Sequence, residues 1–203
     1  MPEESRPVTA KYDGVIFDMD GTLVRPLLDF GAIRAELGID AGDGIIEAIA
    51  AMPPARRAEA EEGLTLRELA AAKRAILMPS AGETLAAVRA AGLKTALLTR
   101  NTQPAMRIVL DKFKLAFDLA WAREDGPIKP GPQGVLRACA ALGIAPGRTM
   151  CVGDFEYDIS AARSAGAAST LLTHDPDPPA FADQADHVIR SLSELPELLG
   201  IHG

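Results

Sequence analysis

Hydrophobic positions along the chain alternate between short apolar runs and longer stretches with helical spacing. Runs of the first kind favour buried strands, and stretches of the second kind favour amphipathic helices. Their alternation is typical of βα units built around a mostly parallel sheet. The pattern predicts five or six strands, at 15–17, 93–99, 117–122, 149–153, 169–173 and 187–189.

Helices are predicted between these strands. The segment 80–92 carries a Ser-x-x-Glu capping box at Ser80 and Glu83, which is a signature of a helix N-terminus. A second helix is expected after Thr102, a plausible cap, with Pro104 in its first turn. The same spacing predicts two further helices, over 132–142 and 158–165.

The segment between Arg25 and Met78 breaks the alternation, because it contains no convincing strand. It reads as short helices rich in Ala, Glu and Arg, and the last is expected to start at a capping box of Thr65 and Glu68. A helical insert at this point would lie above the carboxyl edge of the sheet, where open α/β sheets bind ligands. We therefore expect an α/β core domain of residues 1–24 and 79–203 and a helical cap domain of residues 25–78.

Composition and charge exclude some classes of protein. The chain has 203 residues, of which 48% are hydrophobic, and it contains no run of eighteen apolar residues. Its N-terminal residues 1–14 are charged and contain Pro where a signal peptide would need an apolar stretch, so we expect a soluble, unexported, cytoplasmic protein. A formal net charge of -7 argues against nucleic-acid binding and means that an anionic substrate must meet local positive charge. Cys139 and Cys151 lack metal-site spacing and are expected to be free buried thiols, with one disulfide as the alternative.

Chemically suggestive side chains follow four of the predicted strands and would meet at one edge of the sheet: Asp18 and Asp20, Thr99, Lys129, and Asp154 with Asp158. Two carboxylates two residues apart, with a third from another strand, make a hard oxygen site for Mg²⁺ that leaves room for a phosphate. The metal would reduce the repulsion between a phosphoryl group and an anionic nucleophile such as Asp18. Lys129 and Thr99 would complete the contacts to the phosphoryl oxygens.

Taken singly, each of these residues also has an ordinary structural interpretation. Asp20-Gly21 is typical of a turn, Thr99 of a strand, and Lys129 of a solvated surface charge. The number and order of the matches favour chemistry over these separate explanations. Arg100 and Asn101 could contact a substrate, but an exposed loop explains them equally well.

In chain order, FDMDGTL, LLTRN, Lys129-Pro130 and GDFEYD resemble the four motifs of the haloacid dehalogenase superfamily. The insert after the first motif resembles the small helical cap of the subfamily that includes phosphoglycolate phosphatases. The resemblance implies a three-layer, Rossmann-like α/β fold and a phosphoric monoester hydrolase. We further expect the partner to be a small phosphorylated metabolite, with no nucleic acid or membrane, and the protein to be a monomer or homodimer, although the sequence does not fix the oligomeric state.

The family mechanism, carried over to matching positions, makes Asp18 the nucleophile that forms an aspartyl-phosphate. Asp20 would protonate the leaving alcohol and then activate the hydrolytic water. Because a halide leaves without a proton, an acid at Asp20 favours phosphatase over dehalogenase chemistry.

The resemblance also implies a ligand set. The implied Mg²⁺ ligands are the Asp18 carboxylate, the Asp20 backbone carbonyl and Asp154, with Asp158 supporting them through Lys129 or bound water. The implied phosphate contacts are Thr99, Arg100 and Lys129.

The substrate and two alternative functions stay open. Phosphoglycolate is a reasonable candidate because Arg25, Arg34 or Arg100 could pair with a carboxylate. A phosphosugar mutase of β-phosphoglucomutase type is the alternative enzyme, although its fourth motif more often has two adjacent acids where this chain has Gly153-Asp154. The non-enzyme alternative, a phospho-accepting switch like a receiver domain, is disfavoured by the motif order and the helical insert.

Overall fold

All six predicted strands are present in the computed structural model, which describes residues 11–40 and 42–201. They are β1 Gly14–Phe17, β2 Lys94–Leu98, β3 Leu119–Trp121, β4 Thr149–Gly153, β5 Ala168–Leu172 and β6 His187–Ile189. The sheet has the order β3-β2-β1-β4-β5-β6, and every pair of neighbours is parallel. The predicted parallel α/β architecture is therefore confirmed.

The direction of the strand order reverses between β1 and β4. From β1 the chain moves outward through β2 and β3, and it then returns to place β4 against the other side of β1, with Phe17 beside Val152. In sheets of this kind, the crevice beyond the carboxyl ends of the two central strands is the usual ligand site. Side chains that follow β1 and β4 are thus placed at this crevice.

Helices cover both faces of the sheet, as expected for a three-layer fold. Successive residues of β1 face opposite sides, so that Val15 and Phe17 join one buried cluster and Ile16 joins the other. The first cluster includes residues of α4 Ala81–Ala90, α5 Gln103–Phe113 and α8 Leu195–Leu198. The second includes residues of α6 Gln133–Leu142 and α7 Glu156–Ala165.

The insert between β1 and α4 is helical in its described residues, as predicted. It consists of α1 Phe30–Leu37, α2 Ile45–Ala50 and α3 Pro54–Arg74. These helices bury a small apolar cluster of their own, which contains Ile33, Ile45, Ile49, Ala60 and Leu64. The insert therefore has internal packing that does not depend on the sheet.

Both predicted capping boxes are wrong. Thr65 and Glu68 lie inside α3, which begins at Pro54 and continues through Gly63. Proline is well tolerated in the first helical turn because its missing amide hydrogen would have no partner there. Ser80 does precede α4, but it has φ 62° and its side chain caps no amide.

The two chain segments that enter and leave the insert lie side by side. The amide of Arg25 donates to the carbonyl of Ile76 at 2.9 Å, and the amide of Met78 donates to the carbonyl of Leu23 at 2.9 Å. The insert therefore begins and ends at a short two-stranded ribbon, a few residues after Asp18 and Asp20.

Three further expectations concern cysteines, membranes and the chain ends. Cys139 and Cys151 are buried and free, as predicted. Among the described residues, no helix combines the length and the apolar character that a bilayer crossing requires. Most of the N-terminal segment on which the expectation of an unexported protein depends lies outside the described residues.

Candidate active site

The first of the two central strands ends directly at Asp18. The Asp18 amide donates to the carbonyl of Val152 at 2.9 Å, which holds the start of the next loop against β4. Directly after Asp20, the backbone passes so close to Asp154 that a Cβ at Gly21 would overlap that carboxylate, and Gly21 also has φ +83°. Glycine is the residue that tolerates both conditions. The loops after β1 and β4 can therefore meet.

Asp158 is brought to the same place by the first turn of α7. Its Oδ2 accepts the amide of Phe155 at 3.2 Å, and a carboxylate at this end of a helix is favoured by the helix dipole. A Cβ at Gly153 would overlap the Asp158 carboxyl group, so this second glycine also permits a close approach.

Lys129 links the carboxylates of the two loops. Its Nζ lies 2.5 Å from Asp18 Oδ1 and 2.6 Å from Asp158 Oδ1, and its side chain is only 9% exposed. Burial opposes a charged ammonium, but the negative charges of Asp158 and Asp18 together raise the pKa of Lys129 above its ordinary value. Lys129 therefore remains a cation, and the predicted contact between Lys129 and Asp158 is present.

Three carboxylates form a cluster that Lys129 alone does not neutralise. Oxygen atoms of Asp18, Asp154 and Asp158 all lie within 4.8 Å of one another. Burial, reinforced by repulsion from neighbouring carboxylates and opposed by Lys129, raises the pKa of Asp18 to about 7 and that of Asp154 to about 8. A set of hard oxygen donors with excess negative charge fits a divalent cation.

Asp20 is held by Asn101, from the loop after β2. The side-chain Nδ2 of Asn101 donates to Asp20 Oδ2 at 3.0 Å, and the backbone amide of Asn101 donates to Thr99 Oγ1 at 3.0 Å. Asn101 is buried, so the exposed-loop interpretation of this residue is wrong. Burial raises the pKa of Asp20, against the opposing hydrogen bond from Asn101, and this favours a carboxyl group that can carry a proton.

The guanidinium of Arg100 forms an ion pair with a residue of the insert. Its Nη2 lies 2.7 Å from Glu47 Oε2 and 2.9 Å from Glu47 Oε1, and its guanidinium stacks over the ring of Tyr157 at 4.7 Å. It also donates to the carbonyl of Lys129. The guanidinium is thus a bridge between α2 and the sheet edge in this structure, whereas the sequence predicted a phosphate contact.

A cavity of about 340 Å³ lies between the sheet edge and the insert. All of the site residues expected from the sequence line it: Asp18, Asp20, Thr99, Arg100, Lys129, Asp154 and Asp158. On the insert side, it is lined mainly by apolar groups, among them Leu28, Phe30, Ile45 and Leu64, together with Arg34 and Glu68. Arg25, the other arginine considered from the sequence, is exposed and is not among the lining residues.

Two contributors were not found by sequence reasoning. Glu68 is buried in the cavity wall, although its sequence context indicates only a helix start. His174, to which the sequence assigns no role, places its Nε2 2.7 Å from the carbonyl of Gly21. Neither residue belongs to the four motifs that follow the strands, because each reaches the site from a distant segment.

Comparison with known proteins agrees with this geometry. Residues 12–166 match the family model described as haloacid dehalogenase-like hydrolase. A haloacid dehalogenase-like hydrolase domain-containing protein of Arabidopsis thaliana is 34% identical over an alignment that covers 92% of this chain and 83% of the relative. Phosphoglycolate phosphatase of Escherichia coli is 32% identical over 130 residues, which cover 62% of this chain and 52% of the relative.

A solved structure is also similar over nearly the full length. The haloacid dehalogenase family hydrolase of Deinococcus radiodurans, with bound phosphate and sodium, has a TM-score of 0.67 and 26% identity. The similarity covers 94% of this chain and 96% of that one. With its motifs, its fold and these relatives in agreement, the chain belongs to the haloacid dehalogenase-like hydrolase family and is a phosphatase-like hydrolase.

Proposed function

We propose that this protein is a Mg²⁺-dependent phosphatase that hydrolyses a phosphate monoester of a small metabolite through an aspartyl-phosphate on Asp18. The observation that carries the proposal is the cavity into which a buried carboxylate nucleophile, a separate carboxyl group for proton transfer, a buried lysine and an acidic cluster all converge. The bound phosphate of the Deinococcus structure and the name of the E. coli relative give independent support for a phosphate ester.

The proposed reaction has two displacements at phosphorus. An Asp18 oxygen attacks the phosphorus atom, the bond to the ester oxygen breaks, and Asp20 gives its proton to the leaving alcohol. Asp20 then takes a proton from water, the water oxygen attacks the phosphorus, and the Asp18 carboxylate is released with inorganic phosphate. Asn101 orients the Asp20 carboxyl group for both steps through its 3.0 Å hydrogen bond.

The metal ligands are proposed to be the Asp18 and Asp154 carboxylates with the backbone carbonyl of Asp20, supported by Asp158. Bound Mg²⁺ would neutralise phosphate charge and favour the ionised form of Asp18. Lys129 keeps Asp18 and Asp158 in place and supplies a fixed positive charge beside the phosphoryl group.

The insert is proposed to act as a cap. In this proposal, residues 25–78 are the cap domain and residues 1–24 and 79–203 are the core domain. The cap would close over a small phosphorylated metabolite and exclude bulk water from the reaction. The apolar lining of the cavity and the net negative charge of the chain disfavour nucleic acid as a partner. We propose a cytoplasmic enzyme, as a monomer or homodimer, without a membrane partner.

The mutase alternative is less well supported. A mutase of this kind more often has two adjacent acids in the fourth motif, and the first of these positions is Gly153 here. A side chain at that position would overlap the Asp158 carboxyl group, so the present arrangement has no room for an acid there.

The test measures phosphate release from a panel of small phosphate esters, with Mg²⁺ and with excess EDTA, for the wild type and for Asp18→Asn. We expect turnover only with the metal and only with Asp18, whereas the exposed Asp111→Asn variant should match the wild type. Metal-independent turnover, or an Asp18→Asn variant as active as the wild type, would contradict the proposal. Conversion of a hexose 1-phosphate with little phosphate release would indicate the mutase.

A further inference from the structure

Glu68, on helix α3 of the insert, has one carboxylate oxygen that lacks a partner. Oε1 accepts from Arg123 Nη1 at 2.5 Å, but Oε2 is buried and has no hydrogen-bond partner among the described residues. The residue as a whole is only 4% exposed. A buried, unsatisfied carboxylate oxygen is costly, and in the wall of a cavity such an atom is available to accept a hydrogen bond from a ligand.

Glu68 lies on the side of the cavity where the alcohol portion of the ester would bind. Glu68 and Asp20 line the same cavity. Burial raises the pKa of Glu68 against the effect of Arg123, and the negative charge of Asp20 raises it further. Because the phosphoryl group is proposed to bind at the sheet edge, the leaving alcohol would extend toward the insert, whose side of the cavity includes Glu68.

We propose that Glu68 determines specificity by accepting a hydrogen bond at Oε2 from a hydroxyl group of the leaving alcohol. The substrate class is therefore the phosphate ester of a small polyol. This inference rests on the proposed phosphatase function and adds the identity of the leaving group.

A hydroxyl group fits this position better than a charged group. Arg123 already supplies a positive charge to Glu68, so the remaining oxygen needs a donor and not a second cation. A substrate carboxylate would be repelled by Glu68 and Asp20. Of the two arginines that line the cavity, Arg100 is held by Glu47, which leaves Arg34 to receive any substrate carboxylate. The cavity of about 340 Å³ suits a short carbon chain.

The experiment compares small esters that present different groups on the leaving alcohol. Glycerol 1-phosphate has two hydroxyl groups on a three-carbon chain, propyl phosphate has the same chain without them, and phosphoglycolate has a carboxylate on a two-carbon chain. For the wild type with Mg²⁺, we expect kcat/KM to be higher for glycerol 1-phosphate than for either of the others by about tenfold, as one charge-assisted hydrogen bond would give.

The variant Glu68→Gln keeps the size of the side chain and its contact with Arg123. It should lower kcat/KM for glycerol 1-phosphate by about tenfold and leave that for propyl phosphate unchanged. Glu62→Gln, an exposed position on the same helix, should change neither value.

The outcomes separate the two proposals. If the wild type hydrolyses all three esters equally well, or if Glu68→Gln lowers both values to the same extent, the specificity role is overturned while the phosphatase function stands. If no ester is hydrolysed, the proposed function itself fails, and the specificity role fails with it. The wild-type comparison tests the specificity role even if Glu68→Gln does not fold.

Discussion

Replacement of Lys129 by Met should destabilise the protein strongly while leaving its shape intact. The ammonium makes two short contacts, 2.5 Å to Asp18 and 2.6 Å to Asp158, and its side chain is 9% exposed. Removal of one partner of a buried ion pair costs about 3–5 kcal/mol, since the remaining charge is left uncompensated. Two charge-assisted hydrogen bonds of about 1.5–3 kcal/mol each give a sum in the same range.

The same substitution should change the response of the protein to metal. Without the ammonium, the acidic cluster of Asp18, Asp154 and Asp158 carries one more unit of net negative charge and should bind a divalent cation more tightly. A cation at one hundred times its Kd stabilises the folded state by about 2.7 kcal/mol, and a lower Kd increases this gain. Mg²⁺ should therefore stabilise Lys129→Met more than it stabilises the wild type.

Urea unfolding monitored by circular dichroism, with EDTA and with Mg²⁺, measures both effects. Lys73→Met is the matched control because Lys73 is exposed on α3, and it should stay within about 0.5 kcal/mol of the wild type. A loss for Lys129→Met no larger than that of the control would show that the two ion pairs of Lys129 add no net stability. A Mg²⁺ stabilisation equal in variant and wild type would show that Lys129 and the cation do not share the cluster.

Three other substitutions test separate parts of the structure. In steady-state assays, Arg34→Ala should raise KM for phosphoglycolate but not for glycerol 1-phosphate. The control Arg25→Ala, at an exposed position, should change neither KM value. If Arg34→Ala also leaves both KM values unchanged, Arg34 does not belong to the binding site. Gly21→Ala should lower kcat because the added Cβ overlaps the Asp154 carboxylate of the acidic cluster. Gly143→Ala is the control, since Gly143 also has a positive φ, +68°, but has open space around it. It should lower only the free energy of unfolding, by about 1–2 kcal/mol. Hydrogen bonds from β2 lower the pKa of Asp118 in the folded state, so its contribution to stability is present above about pH 4 and is lost as pH falls through the folded pKa. Asp118→Asn should therefore reduce the free energy of unfolding at pH 7 by about 1 kcal/mol and have much less effect near pH 2, and an equal loss at both pH values would contradict this assignment.

Much of the core was predictable because its physics is local in sequence. Buried parallel strands are continuous apolar runs, and Ala96, Leu97 and Leu98 are an example in which all three residues are buried. The polar residues that follow such runs must lie at one edge of a parallel sheet. The sequence alone therefore predicts that Asp18 and Asp154 lie close together at that edge.

The insert was less predictable because its contacts are long-range. Glu68 is buried by Arg123, 55 residues away in sequence, and Glu47 meets Arg100 at a separation of 53 residues. The spacing of hydrophobic residues along the sequence does not indicate ion pairs between residues so far apart. The capping box at Ser80 failed for a different reason, since the backbone takes a left-handed conformation that the sequence pattern does not indicate.

The ribbon at which the insert begins and ends has a consequence for how the family can diversify. Because the Arg25 amide is hydrogen-bonded to the carbonyl of Ile76, and the Met78 amide to that of Leu23, the chain leaves the core and returns to it at neighbouring positions. A change of length inside the insert therefore need not move the strands on either side of it. Under the proposed function, such changes could alter the choice of leaving group while the residues of the acidic cluster keep their places.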